Sequence, residues 1–274
     1  MIEQQNKDYL EFAKVVAYEA GEIMREYYYK KNIKNHYKKP TNDAVEVVTE
    51  ADEKINRWVI ERVKQRFPDH GVYGEEESYN RDSEYVWVCD PIDGTNPFIM
   101  GLMVSVFSLA LTRNGVPEVG VIYDFHGNKL YESMVGGGAF MNGKQIHVNN
   151  LGLEPKARFN ADWWVGAGYD PVPVIHQLAL DTGMYVLTIG SIAHACALVA
   201  KGEFVASLFP GTEGKNVDVA AAKVIIEEAG GKVTDIFGKE QRYDRPIEGA
   251  ILSNGIVHNE IVERLMVLRE EKRL

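Results

Sequence analysis

Residues 87–95 read Trp87-Val88-Cys89-Asp90-Pro91-Ile92-Asp93-Gly94-Thr95. An apolar run stops there on two carboxylates, with a proline, a glycine and a threonine among them. Trp87-Val88-Cys89 has the character of a buried strand, so Asp90 falls where that strand delivers its last side chain. Pro91 fixes its own φ and stiffens the turn, and Asp93, three positions on, can point back toward Asp90. Gly94 permits a close backbone approach, and Thr95 opens a short helical segment whose free N–H groups favour an anion. Two carboxylates beside such a helix start suit a divalent metal together with a phosphate. On these residues alone, an ordinary Asp93-Gly94 turn with Asp90 as a helix cap stands equally open.

Around this stretch the hydrophobic periodicity sets the elements. Strands are expected at Tyr85 to Asp90, Val104 to Thr112, Val119 to Tyr123 and Lys129 to Val135. Asn114-Gly115, His126-Gly127-Asn128 and Asn142-Gly143 supply turns short enough to imply antiparallel pairing. Upstream, apolar residues from Tyr9 to Tyr27 recur at three-and-four spacing and predict a helix. A second helix is expected from Thr49 to Phe67, opened by a capping box of Thr49 and Asp52 and stopped at Pro68. Asp52 has a further role near the site only as a minor option. Lys30 to Lys39, ending at Pro40, reads as an exposed turn or strand edge, and Gly71 to Ser83 as an acidic loop. Downstream, strands are expected near Met184 to Thr188, Glu203 to Leu208 and Lys232 to Asp235. Helices are expected over Ser191 to Lys201, Val217 to Ala229 and His258 to Glu270. The pattern is α+β, one unit over 1–274 without a linker. Residues 1–150 form an antiparallel-sheet half and 151–274 a mixed half.

The chain has 274 residues, with 30 Lys and Arg against 40 Asp and Glu, a formal charge of −10. Its 45% apolar content is too high for a disordered chain, and its length can bury a large core. The acidic balance excludes nucleic-acid backbones and anionic membranes as partners. An anionic substrate would need a cation to mediate. Cys89 and Cys196 lie far apart and make neither a disulfide framework nor a zinc knuckle, so a reducing cytoplasm is the expected setting. The N-terminus carries acids where a signal peptide needs basic residues. The uncharged stretches Gly94 to Thr112 and Gly183 to Ala200 are interrupted by Asn, Pro, Gly, Ser or His and read as buried elements, not membrane spans.

Two more acidic groups stand out, Gly74-Glu75-Glu76-Glu77 and Asp218. By themselves they read as a solvated loop and a helix N-cap. Other templates fail. Gly143-Lys144 and Gly231-Lys232 lack the following Ser or Thr of a phosphate loop, and Met141 interrupts the Gly136-Gly137-Gly138 dinucleotide pattern. The histidines have no zinc spacing, and His194 fits a hydrogen-bonded core position. No nucleophile elbow is present.

In this order and spacing, the clusters resemble the inositol monophosphatase family of metal-dependent phosphatases. Tyr73-Gly74-Glu75-Glu76 is similar to its Gly-Glu-Glu loop, and Trp87 to Thr95 to its Trp-x-x-Asp-Pro-Ile-Asp-Gly-Thr signature. Asp218-Val219-Ala220-Ala221 with Glu228-Ala229-Gly230-Gly231 resembles its second signature. Val47 to Asp52 and Gly136 to Gly143 also fit. The resemblance runs from about residue 10 to 260.

The resemblance implies a layered αβαβα sandwich of the inositol monophosphatase / fructose-1,6-bisphosphatase type. It also implies a homodimer and Mg²⁺-dependent hydrolysis of a small phosphorylated substrate by direct, in-line attack of a metal-activated water. Glu75, Asp90, the Ile92 carbonyl and Asp93 would hold one Mg²⁺, and Asp90, Asp93 and Asp218 a second. A third would bind weakly through Glu75. Thr95 and Glu75, with Glu76 assisting, would orient the water, and the N–H groups of Gly94 and Thr95 would bind phosphate oxygens. Gly190, Ser191 and Glu213 are the candidates for the alcohol.

Inositol monophosphate or a related sugar or polyol phosphate is the expected substrate. Fructose 1,6-bisphosphate, histidinol phosphate and 3′-phosphoadenosine 5′-phosphate are alternatives, as is a non-catalytic regulatory role. The chain departs from the family pattern at Glu46, Pro97, Val217 and Ala222. It departs again in the segments around Asp162-Trp163-Trp164 and Pro210 to Lys215, so the alcohol is the least determined feature.

Overall fold

The first two helices form an outer layer because their apolar residues share one face. The computed structural model describes residues 2–30, 34–37, 47–164, 167–211 and 215–270. Helix α1 (Ile2–Tyr28) buries Tyr9, Ala13, Val16, Ala17, Ala20 and Met24. A two-stranded ribbon, β1 (Asn35–Tyr37) antiparallel to β2 (Val47–Thr49), leads into α2 (Glu50–Arg66). The capping box is formed: Asp52 donates its backbone N–H to Thr49 Oγ1, and Thr49 donates its own to Asp52 Oδ2 at 2.9 Å. The segment from Lys30 to Pro40 lies partly, and Glu46 wholly, outside the described residues.

Under these helices lies an eight-stranded sheet ordered β10-β9-β8-β7-β6-β5-β3-β4. Its members are β3 (Gly71–Gly74), β4 (Ser78–Tyr79), β5 (Tyr85–Asp93), β6 (Val106–Arg113), β7 (Val116–Asp124), β8 (Lys129–Met134), β9 (Gly138–Met141) and β10 (Lys144–Gln145). From β5 to β10 the pairing is antiparallel, as the short turns demand. Gly71 to Ser83 departs from the expected loop. Gly71–Gly74 pairs parallel to β5 and Ser78–Tyr79 folds back on it. Four residues at the edge of a sheet carry no period of their own; the neighbouring strand makes them β.

Strand β5 is buried on both faces and alternates from Val86 to Cys89. Trp87 and Cys89 face α1 and α2, whereas Val86 and Val88 face the opposite side. On that opposite side lie α5 (Ile192–Ala200) and α6 (Asn216–Glu228), buried nearly all round, as helices between two sheets must be. Small residues let α6 come close. A Cβ on Gly120 of β7 would sit 2.5 Å from the Ala221 carbonyl oxygen.

Beyond them lies a five-stranded sheet, β12-β11-β13-β15-β14. It comprises β11 (Arg158–Ala161), β12 (Tyr185–Leu187), β13 (Ala206–Phe209), β14 (Lys232–Thr234) and β15 (Ala250–Ser253). Strand β11 runs parallel to β12 and β13, and β15 antiparallel to β13 and β14. Helices α4 (Val172–Thr182) and α7 (His258–Glu270) close the far side. Three apolar clusters, the middle one lining both faces of α5 and α6, thus hold together five layers, αβαβα, the α+β architecture expected. β11, β15 and α4 lie where no element was expected. The first two span four residues each, and α4 starts from a Pro171-Val172-Pro173 sequence that reads as loop.

Candidate active site

Strict alternation along β5 would put Asp90 and Asp93 on opposite faces of the sheet. A bulge prevents this. Asp90 pairs with Ser108 and Asp93 with Val106, three residues on β5 against two on β6. Pro91, which has no N–H, occupies the stretch where the ladder is broken. Ile92 packs into the outer core and donates its N–H to Asp90 Oδ1 at 2.9 Å. Both carboxylates therefore face the middle helical layer.

That layer supplies the rest. Asp93 sits on the N-terminus of α5, where Ile192 and Ala193 donate their N–H groups at 3.1 and 2.8 Å. Ser191 donates its hydroxyl to the same carboxylate through a short bond. Asp218 is the third residue of α6, not its cap; Lys215 holds the cap position in a left-handed conformation, φ 59°. Carboxylate oxygens of Asp90, Asp93 and Asp218 lie within 4.8 Å of one another, and all three residues are buried.

Crowding three acids out of water disfavours their ionised forms. Burial, then the charges of Glu75, Asp218 and Asp93, push Asp90 well above the usual carboxylate range. Asp93 is pushed up to about 7 by burial and then Asp218, against the pull of Ser191, Lys215 and the Ala193 amide. The Lys215 ammonium stands 3.6 Å from Asp218 Oδ2, one positive charge against three acids. Hard oxygen donors with excess negative charge fit Mg²⁺ or Ca²⁺, so the donor set present suits the metal that the family resemblance implies.

Glu75 stands outside the trio, yet among neighbouring charges it contributes most to raising Asp90. Its loop is tied down from α2. Buried Asn56 donates Nδ2 to the Glu77 carbonyl at 2.8 Å and accepts the Glu76 N–H at 3.3 Å. Gly74 permits that approach, since a Cβ there would lie 2.1 Å from Asn56 Oδ1. Glu75 and Glu76 are half-buried, and the Glu75 N–H bonds the Cys89 carbonyl at 3.1 Å.

Asp52 joins the cap to the site. Its Oδ2 serves Thr49, while Oδ1 accepts the Thr95 hydroxyl at 3.4 Å; that hydroxyl also reaches the Ile92 carbonyl at 3.1 Å. Burial, with the added repulsion of Glu75, lifts Asp52 to about 7 despite its bonds to Thr49. The sequence favours the capping box and holds a role near the site as a minor option; the closeness of Thr95 is a tertiary fact that realises it. Gly94 (φ 88°) turns the chain into α3 (Thr95–Met100), and a Cβ there would meet the Gly190 carbonyl at 3.0 Å. Pro97, in the first turn of α3, forgoes only an N–H that has no partner within the helix.

Of the alcohol candidates, Glu213 lies outside the described residues. Gly190 is exposed beside the Pro97 ring, but Ser191 is buried with its hydroxyl committed to Asp93. Asn56 was not foreseen. Val217 and Ala222 are buried among the inner-layer residues. His194 is a core residue, its Nδ1 2.7 Å from the Val104 carbonyl. Glu228 holds the Gly136 to Gly138 turn by accepting both of their N–H groups.

A layered αβαβα fold with a carboxylate cluster at the end of β5 and the start of the middle helices defines a class of metal-dependent phosphatases. The model of the inositol monophosphatase family matches residues 5–272. A Thermotoga maritima protein described as fructose-1,6-bisphosphatase/inositol-1-monophosphatase is 32% identical over 227 residues, 82% of this chain and 85% of its own. Inositol monophosphatase 3 of Solanum lycopersicum is 33% identical, covering 85% of this chain and 88% of its own. The solved Thermotoga maritima IMPase superposes with a TM-score of 0.84 at 28% identity, over 96% of this chain and 99% of that one. The chain belongs to the inositol monophosphatase family and is a phosphatase of phosphomonoesters. Among the described residues no helix is long and apolar enough to cross a membrane.

Proposed function

We propose that the chain hydrolyses a small sugar or polyol phosphate, inositol monophosphate among them, with Mg²⁺ held by Glu75, Asp90, the Ile92 carbonyl, Asp93 and Asp218. The observation that carries this is the buried trio of Asp90, Asp93 and Asp218 within 4.8 Å, three acids facing one lysine. Two ions are the natural complement, with a weaker third at Glu75. Bound there, Mg²⁺ supplies a water of lowered pKa and offsets the negative charge of the phosphate.

The chain's own part is positioning. Thr95, held between Asp52 and the Ile92 carbonyl, orients the attacking water. The Asp52 carboxylate, 3.4 Å from that hydroxyl, is placed to accept its proton. Glu75, steadied by Asn56 and assisted by Glu76, takes the water's other side. The N–H groups of Gly94 and Thr95 receive phosphate oxygens. Ser191 acts through Asp93, fixing that carboxylate on the N-terminus of α5. With Cys89 and Cys196 both buried thiols, neither is offered as a nucleophile, and attack by water is direct. Buried free cysteines also accord with a cytoplasmic setting. Phosphate release from inositol 1-phosphate, fructose 1,6-bisphosphate, histidinol phosphate and 3′-phosphoadenosine 5′-phosphate, with and without Mg²⁺, tests the proposal. Release that depends on Mg²⁺ is expected. Release undiminished by chelation, or none from any ester, refutes it.

A further inference from the structure

Lys215 breaks the local rules of its position. It holds the N-cap of α6, yet its side chain makes no capping bond. A cation there opposes the helix dipole, whose positive end lies at the N-terminus. Its backbone is left-handed, φ 59°, a conformation that side chains other than Asn and Asp seldom adopt. Among the described residues, the other four non-glycine positions with positive φ are all asparagines, Asn80, Asn114, Asn128 and Asn142. An asparagine at 215 would suit the backbone and could cap the helix as well. Local structure therefore gives no reason for a lysine. The reason lies in what the ammonium reaches.

It reaches Asp218. Lys215 Nζ lies 3.6 Å from Oδ2, with the lysine side chain 23% exposed and the aspartate side chain 2%. Burial outweighs it in both, but the same charge pulls Asp93, and Asp162 just past β11, toward their ionised forms. A pair so little hydrated is screened weakly. A carboxylate that serves this ammonium serves a divalent cation less well. The long lysine stem also allows the ammonium to withdraw toward solvent while its Cα stays fixed at the cap.

We propose that Lys215 competes with Mg²⁺ for the Asp218 carboxylate, so that a residue that is not itself a ligand sets how tightly the ion shared by Asp90, Asp93 and Asp218 is held. This rests on the metal-dependent phosphatase reading above and adds to it the control of metal affinity. The lysine keeps the site from holding its ion as strongly as three buried acids would by themselves.

Calorimetric titration of Mg²⁺ onto wild type, Lys215→Asn and Lys215→Arg tests the competition, with phosphate release from inositol 1-phosphate followed in parallel. Asparagine keeps the left-handed backbone and drops the charge, whereas arginine keeps the charge. Melting curves verify that each variant folds. Lys215→Asn should bind Mg²⁺ about tenfold more tightly, the worth of one partly shielded ion pair, and reach half-maximal rate at a correspondingly lower Mg²⁺ concentration. Lys215→Arg should stay near wild type. Equal or weaker binding by Lys215→Asn overturns the competition, and a raised KM beside it makes Lys215 a contact of the ester instead. A gain shared equally by both variants also overturns it, since the backbone and not the charge would then be responsible. Wild type that binds no Mg²⁺ and releases no phosphate overturns the metal-dependent reading itself, whatever the variants do.

Discussion

Replacing Asp93 by Asn should separate the cost of the acidic trio from its use. The Asp93 carboxyl is lifted from 3.8 to about 7 by burial and by Asp218. A rise of roughly three pH units, at about 1.4 kcal/mol each, makes its ionised form cost the metal-free fold about 4 kcal/mol. Asn removes that charge. It keeps one acceptor oxygen for three donors, Ser191 Oγ and the Ile192 and Ala193 amides. Losing one charge-assisted bond costs about 2 kcal/mol. In chelator at pH 8, Asp93→Asn should thus be the more stable protein by about 2 kcal/mol, near 5 °C in melting temperature for a chain of this size.

The sign must reverse with acid. Because the fold holds the proton to higher pH than the unfolded chain does, wild type loses stability from about pH 4 to about 7 and little beyond. At pH 5 Asp93 is already protonated, the gain vanishes, and the variant should melt at or slightly below wild type. With Mg²⁺ added at pH 8 the order inverts again, since the wild-type site is completed and the variant's is not. Turnover of Asp93→Asn should fall by about 10²-fold or more, the loss of several kcal/mol of charge stabilisation. Scanning calorimetry at the two pH values, with and without Mg²⁺, and phosphate-release kinetics provide the measurements. Wild-type turnover in the variant would refute the ligand assignment. A variant melting well below wild type in chelator at pH 8 would refute the repulsion on which the estimate rests.

Asp52 is lifted in the same direction as Asp93, so metal-free wild type should melt progressively lower as pH rises from 4.5 to 7.5; Mg²⁺ should flatten that slope, as parallel melting series will show. Asn56→Ala removes both ties to the Gly-Glu-Glu loop, at about 1–3 kcal/mol of stability, and kinetics should show a lower kcat with the fold intact by circular dichroism. Ser191→Ala takes a donor from Asp93 without touching the carboxylate; the Mg²⁺ concentration for half-maximal rate should rise about 10–100-fold, whereas a hydroxyl serving the alcohol would instead raise KM for the ester. Gly120→Ala brings a methyl 2.5 Å from the Ala221 carbonyl oxygen. It should displace α6 and with it Asp218, visible as weakened Mg²⁺ activation alongside a lower melting temperature.

The sequence revealed most of the site's composition and little of its assembly. Asp90 and Asp93 were legible because an apolar strand ends on them with Pro91 between. The one-residue bulge that turns both to one face is a property of pairing with β6. From its own surroundings Asp218 read as a helix N-cap, and only the family resemblance made it a metal ligand; its place as the third residue of α6 depends on where Lys215 breaks the chain. Helix α1 announced itself by its apolar period and α2 by its period and capping box. The four-residue strands β11 and β15 could not, since pairing alone makes them strands. Asp52 shows the limit most clearly. A capping box fully accounts for it locally, and only the fold reveals that its second oxygen is engaged with Thr95.

The placement of the trio also explains why the middle layer is built from small residues. Asp90 and Asp93 end a strand of one sheet, and Asp93 and Asp218 meet the first turns of α5 and α6. Their oxygens come within 4.8 Å only if those helices lie close to β5 and β7. Ala220, Ala221 and Ala222 on α6, and Gly120 beneath them, allow that approach. The apolar surface buried between the sheets therefore works against the repulsion of three acids at its edge, and a bound cation removes the repulsion it must oppose. Metal affinity and inner-layer packing are two measures of the same free energy. A substitution that loosens α6 should weaken the metal site even where it touches no ligand.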